Sequence, residues 1–120
     1  MPETQVVLYE AENRAVPFLE WLDRLPPKAQ DKCIVRVERL AAMGYELRRP
    51  EADFLRNGIY ELRFAHQAIN YRVLYFFCGR RAVISHGIAK ERAVPSKEID
   101  LALQRKARFA ADPERHTYKE

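Results

Sequence analysis

Two arginines, Arg63 and Arg72, each sit in a stretch where apolar and polar residues alternate. In residues 59–64, Tyr60, Leu62 and Phe64 take one side, and Glu61 and Arg63 take the other. In residues 69–78, Tyr71, Val73, Tyr75 and Phe77 share a side, and Arg72 lies opposite them. Both guanidinium groups can therefore stand on one open sheet face, where a planar fork of donors suits a phosphate. Lys90 and Arg92 come just after the last alternating stretch, in a turn that hangs over the edge of that face. Lys90 could bind phosphate or donate a proton to a leaving group, and Arg92 could substitute for it. His86 titrates near neutrality when unperturbed, as acid–base work prefers. A two-residue turn at Gly79-Arg80 pairs Val73 with His86, which makes His86 a hydrogen-bonded residue of the core side. A one-residue change of loop length reverses that facing. Glu61 shares a face with Arg63 and is either a base or a pairing partner, and a surface pair contributes about 0–1 kcal/mol. His66, in the strand connection, is a further candidate base. The bland alternative is that these are solvated surface cations and a structural histidine.

The charge distribution sharpens this choice without deciding it. The 120-residue chain carries a net +4. Residues 1–55 hold eight Lys/Arg against ten Asp/Glu, whereas residues 56–92 hold seven against two. A basic middle beside a slightly acidic start points to an anionic partner for the middle. A solvated sheet face explains the same numbers equally well.

The scaffold that must position these residues is one domain by length, with 48% apolar and 32% charged residues. Residues 4–10 have strand composition. Pro17 opens a short helix whose Phe18, Trp21, Leu22 and Leu25 fall at helical spacing. Pro26-Pro27 ends it and starts a second helix with an apolar stripe of Ala29, Cys33, Val37, Leu40 and Ala41, Ile34 beside them, and Gly44 as C-terminal cap. The two should form a helical hairpin. Asn57-Gly58 then marks a turn, and the period changes from 3.6 to 2 through three strands. Pro95 opens a last helix with Ile99, Ala102, Leu103 and Ala110 buried; Asp112-Pro113 stops it. The expectation is an α+β fold, an N-terminal strand and helical hairpin packed on an antiparallel sheet with a C-terminal helix. The domain would span 1–112, with 113–120 a loose tail. Cys33 and Cys78 lie in apolar segments, no zinc spacing occurs, and neither a signal peptide nor a membrane span is recognisable. A reduced, cytoplasmic protein without metal or cofactor is expected. Tyr60, Tyr71 and Tyr75 could stack on bases, but their periodicity assigns them to the core.

Three segments in this order, LRNGIYELRF (55–64), NYRVLYFF (70–77) and VISHGIAKERAVPSKEIDLALQRKARF (83–109), resemble the RelE/HigB superfamily of toxins, and most closely its phage-derived HigB-like branch. The hairpin VPFLEWLDRLPPKAQ is similar to that family's opening. The resemblance covers almost the whole chain except the tail. It implies a metal-independent toxin of a type II toxin–antitoxin system that cleaves mRNA on the ribosome, held in check by a small helix-turn-helix, HigA-like antitoxin. It also implies that Arg63 and Arg72 hold basic active-site positions and that a basic residue belongs near Lys90. Arg56 and Arg92 would add RNA-binding charge. In that chemistry a 2′-hydroxyl attacks its own phosphate, and fixed cations stabilise the charge that builds on the phosphoryl oxygens. Glu61 departs from the family's pattern, which has lysines on this strand, and it leaves the general base unassigned. Two other readings stay open: a non-catalytic inhibitor of a protein such as DNA gyrase, and an inactive prophage relic.

Overall fold

Asn57 and Gly58 both adopt positive φ (51° and 85°), the twist that a two-residue hairpin requires. The turn joins two strands of a five-stranded sheet in the computed structural model, which describes residues 4–119. The elements run β1 (Gln5–Leu8), α1 (Pro17–Leu22), α2 (Pro27–Met43), a 3-10 turn (Gly44–Glu46), β2 (Ala52–Arg56), β3 (Ile59–His66), β4 (Ile69–Cys78), β5 (Arg81–Ala89), α3 (Ser96–Ala111) and α4 (Pro113–His116). The α+β expectation holds, with two refinements to the sheet. Its order is β1-β5-β4-β3-β2, and β1 joins the edge parallel to β5 while the other pairings are antiparallel. The second refinement is β2, which the sequence pattern did not reveal.

The sheet separates two cores. On one face α1 and α2 cover Leu62, Phe64, Tyr71, Val73, Tyr75 and Ile84. On the other, α3 covers Ile59, Leu74, Phe76, Val83 and Val7. Tyr71 and Tyr75 are buried in the core as expected, Tyr60 is only half-buried, and all three lie on the α2 side. Ala29, Cys33 and Leu40 of α2 are buried, whereas Ile34 is 46% exposed and points away from the sheet. In α3 the inward residues are Ile99, Ala102 and Phe109, and Ala110 is exposed instead. Burial pushes the Cys33 thiol up to about 12, consistent with a small apolar core residue.

Two local features set how the site is built. A β-bulge falls between Leu74 and Tyr75, whose partners on β5 are His86 and Ile84, so Ser85 is the extra residue. Cys78 pairs with Arg81, so Gly79-Arg80 is the expected two-residue turn. The bulge nevertheless moves His86 from Val73 to Leu74, and therefore to the α3 face. The second feature is Gly87, where a Cβ would sit 2.3 Å from the Trp21 ring. Only a bare backbone lets α1 lie this close to β5.

Residues 113–119 are not a loose tail. Asp112 caps α4 through Arg115 N–H, Thr117 bridges to Tyr9, and the Tyr118 N–H donates to the Leu8 carbonyl at 2.9 Å. His116 is buried and stacks on Tyr9 with ring centroids 5.0 Å apart. No helix among the described residues is long and apolar enough to cross a membrane.

Candidate functional site

Arg63 and Arg72 are direct cross-strand partners of β3 and β4 on the α3 face. Their alternation brought them together as the sequence pattern requires, but the face is not open. Arg72 retains 8% of its side-chain exposure and Arg63 retains 25%. Glu61, two residues before Arg63 on the same face, lies between them at 4% exposure. The Arg63 Nη1 donates to Glu61 Oε2 at 2.8 Å. Arg72 Nε lies 3.1 Å from Oε1, an ion pair without hydrogen-bond geometry, so Oε1 has a charge partner but no donor. Burial lowers the proton affinity of the Arg72 guanidinium, Arg63 and Arg49 add to the effect, and Glu61 opposes it. A buried cation crowded by two others gains from any further anion. Glu61 is thereby the anchor of an arginine pair rather than an exposed carboxylate.

A groove of about 490 Å³ opens over this trio. Its floor is Glu61, Arg63 and Arg72; one wall is β2 with Arg49 before it, and the other is Arg92, Val94 and Ile99 from the β5–α3 loop and α3. Arg49, Arg56, Arg63, Arg72 and Arg92 all line it, against Asp53, Glu61 and Glu91. Arg49 is held by Asp53 at 2.8 Å, and Arg56 reaches across to Asp100 of α3 at 2.7 Å. A second hollow of about 310 Å³ adjoins it, sharing Arg49, Arg63 and Arg72 and adding Arg36 and Asn70. Arg36 is fixed by donating from Nε to the Arg63 carbonyl at 2.8 Å and by pairing with Glu51.

Of the residues singled out from sequence, Arg56, Glu61, Arg63, Arg72 and Arg92 converge on the groove. Lys90 does not line it. Its N–H donates to the Asn70 carbonyl at 2.8 Å, and its exposed side chain borders a neighbouring hollow with Ala89, Glu91 and Arg92. His66 ends β3 away from both hollows, with Nδ1 lacking a hydrogen-bond partner among the described residues. Arg49 and Arg36 were not anticipated. Arg49 precedes an unrecognised strand, and Arg36 sits on a helix whose surface charges look alike in sequence.

His86 belongs to a different cluster. It is 7% exposed, with Nδ1 2.7 Å from Ser85 Oγ and Nε2 3.1 Å from Glu98 Oε1. The Arg105 Nη1 donates to Ser85 Oγ at 3.2 Å and stands equally close to Nδ1. A guanidinium has no acceptor, so Nδ1 accepts and the neutral ring carries its proton on Nε2 toward Glu98. Burial first, and Arg105 next, push the His86 pKa below its ordinary value against the pull of Glu98. The Ser–His–Glu order resembles a nucleophile relay, but Ser85 is fully buried beneath α3 and no substrate atom can reach it. This cluster fastens α3 to the bulge, as a buried, hydrogen-bonded histidine should.

The fold and this groove define a small α+β domain with a cationic cleft built on paired strand arginines. Residues 20–107, well over half of the chain, match the family described as phage-derived protein Gp49-like (DUF891), a RelE/HigB-like toxin family, and the chain belongs to that family. No curated protein matches it.

Proposed function

We propose that the protein is the toxin of a type II toxin–antitoxin system and a ribosome-dependent, metal-independent mRNA endoribonuclease, with the arginine groove as its active site. The observation that carries this reading is the Arg63–Glu61–Arg72 trio on the floor of an arginine-lined cleft, in a chain of a RelE/HigB-like toxin family.

Cleavage proceeds as a 2′-hydroxyl gives up its proton to water and attacks the adjacent phosphorus; the bond to the 5′-oxygen breaks, that oxygen takes up a proton from water, and a 2′,3′-cyclic phosphate remains. Charge builds on the phosphoryl oxygens and the departing oxygen. Arg63 and Arg72 stabilise it, and each donor contributes about 3 kcal/mol at such a preorganised site. Glu61 holds both forks in place before substrate arrives, so little reorganisation is needed. Arg49, Arg56 and Arg92 bind the flanking backbone phosphates, and Lys90 adds charge outside the groove. A helix-turn-helix antitoxin is the expected cognate partner.

The test is primer extension on an mRNA in a purified translation system, with and without ribosomes, beside a gyrase supercoiling assay. Cuts that need ribosomes support the reading. Intact mRNA with inhibited supercoiling would replace it with inhibition of gyrase, and intact mRNA with active gyrase would overturn both.

A further inference from the structure

The β2 edge leads from the arginine groove onto the opposite sheet face. Phe54 of β2 lines the groove, yet its ring lies against Tyr60 at 5.1 Å on the α2 side and is 53% exposed. Tyr60 meets Phe77 edge-on at 5.3 Å, and Phe77 is covered in turn by Tyr45, stacked at 3.8 Å and 28°. Tyr45 is 57% exposed. A ring stacked on one face and more than half exposed presents its other face to water. Arg48 lies beside it, donating from Nη1 to the Tyr45 carbonyl and at 3.2 Å to that of Leu47.

We infer that Phe54 and Tyr45 form a stacking platform for unpaired nucleobases of the RNA strand that leaves the arginine groove over β2, with Arg48 binding its backbone. This rests on the ribonuclease reading above and extends it to a substrate subsite. Three features favour nucleic acid over a protein partner. The patch is continuous with a cleft carrying five arginines. Arg48 places a cation beside Tyr45, and Asp53 next to Phe54 is paired with Arg49. The exposed rings each rest on another ring, with the open face of Tyr45 continuing a stack, and stacking on aromatic rings is indifferent to which base arrives. The same aromatic residues are too exposed to contribute much to the core.

The test is fluorescence anisotropy with a short labelled 2′-O-methyl RNA, which cannot be cleaved, and an abasic oligomer of the same backbone. The wild type should prefer the base-bearing oligomer by tenfold or more. Tyr45→Ala should erase most of that preference and leave abasic binding unchanged, which also shows that the variant is folded; Phe54→Ala should lower the preference as well. Tyr45→Phe should retain it. Arg72→Ala should weaken both oligomers alike. If the alanine variants keep the wild-type preference, or the wild type has none while Arg72→Ala still weakens binding, the platform is refuted and the arginine groove stands. That is also the outcome expected if the patch serves a protein partner. If the wild type binds neither oligomer, the platform is refuted, and the ribosome-dependent nuclease reading is judged separately by the primer-extension assay.

Discussion

Arg72 sits where one side chain must serve both the fold and the chemistry. Replacing it by alanine leaves Glu61 buried with only the partly buried Arg63 as counter-ion, and should lower cleavage about 100-fold or more. Arg72→Lys keeps the charge but not the fork, so it should restore stability better than activity. Glu61→Gln removes the shared anchor from two arginines and should destabilise the protein by about 3 kcal/mol, measured by urea denaturation. Unchanged stability would show that the trio is no more than a surface pair. His86 gives a pH signature of its own. Its folded pKa is lowered, so below its ordinary value of 6.5 the unfolded chain takes up a proton that the folded one resists. Stability should therefore fall as pH drops below 6.5, by up to about 1.4 kcal/mol per pH unit, and His86→Gln should flatten that window. The facing of Arg63 and Arg72 was legible in the sequence because period-2 alternation leaves one choice. Their burial was not, since it depends on α3 and the 90–95 loop roofing the strands. Glu61 could be read only as a base or a pair for the same reason.

Elements divide in the same way. The hairpins were readable where turn chemistry is explicit, as at Asn57-Gly58. Strand β2 was missed because Arg49 to Arg56 has a proline, four charged residues (Arg49, Glu51, Asp53 and Arg56) and only brief alternation. The bulge at Ser85 was equally hidden, and it alone reversed the face of His86. The tail misled because Glu114, Arg115 and Lys119 look like solvent, while His116 docks on Tyr9. Deleting residues 113–120 should cost about 2 kcal/mol through the lost stack and strand bridge, seen as a lower Tm. A loose tail would leave Tm unchanged. The β3–β4 turn offers an opposite change. Gln67 and Ala68 both have positive φ (50° and 66°) without a glycine, which costs about 1–2 kcal/mol at Ala68. Ala68→Gly, at an exposed site, should raise stability by roughly 1 kcal/mol in thermal melts.

At the scale of the whole molecule, the acidic first half builds the helices that back one face of the sheet, and the basic segment 56–92 supplies the groove floor together with Arg56 and Arg92 of its two walls. That division was visible in the charge counts, but a solvated face would have produced the same counts. What separates the two is convergence: five arginines from β2, β3, β4 and two loops meet over one buried carboxylate. Affinity for RNA should accordingly fall with added salt, as releasing counter-ions into a more concentrated solution gains less entropy. The most direct measurement is cleavage of ribosome-bound mRNA by wild type, Arg63→Ala and Arg72→Ala, with a matched mRNA carrying one 2′-deoxynucleotide at the cut position. Efficient cutting by the wild type to a 2′,3′-cyclic phosphate is expected, with loss of the cut in the deoxy mRNA and strong loss in both variants. Full cleavage by both arginine variants, or undiminished cutting at the deoxy position, would contradict the proposed mechanism.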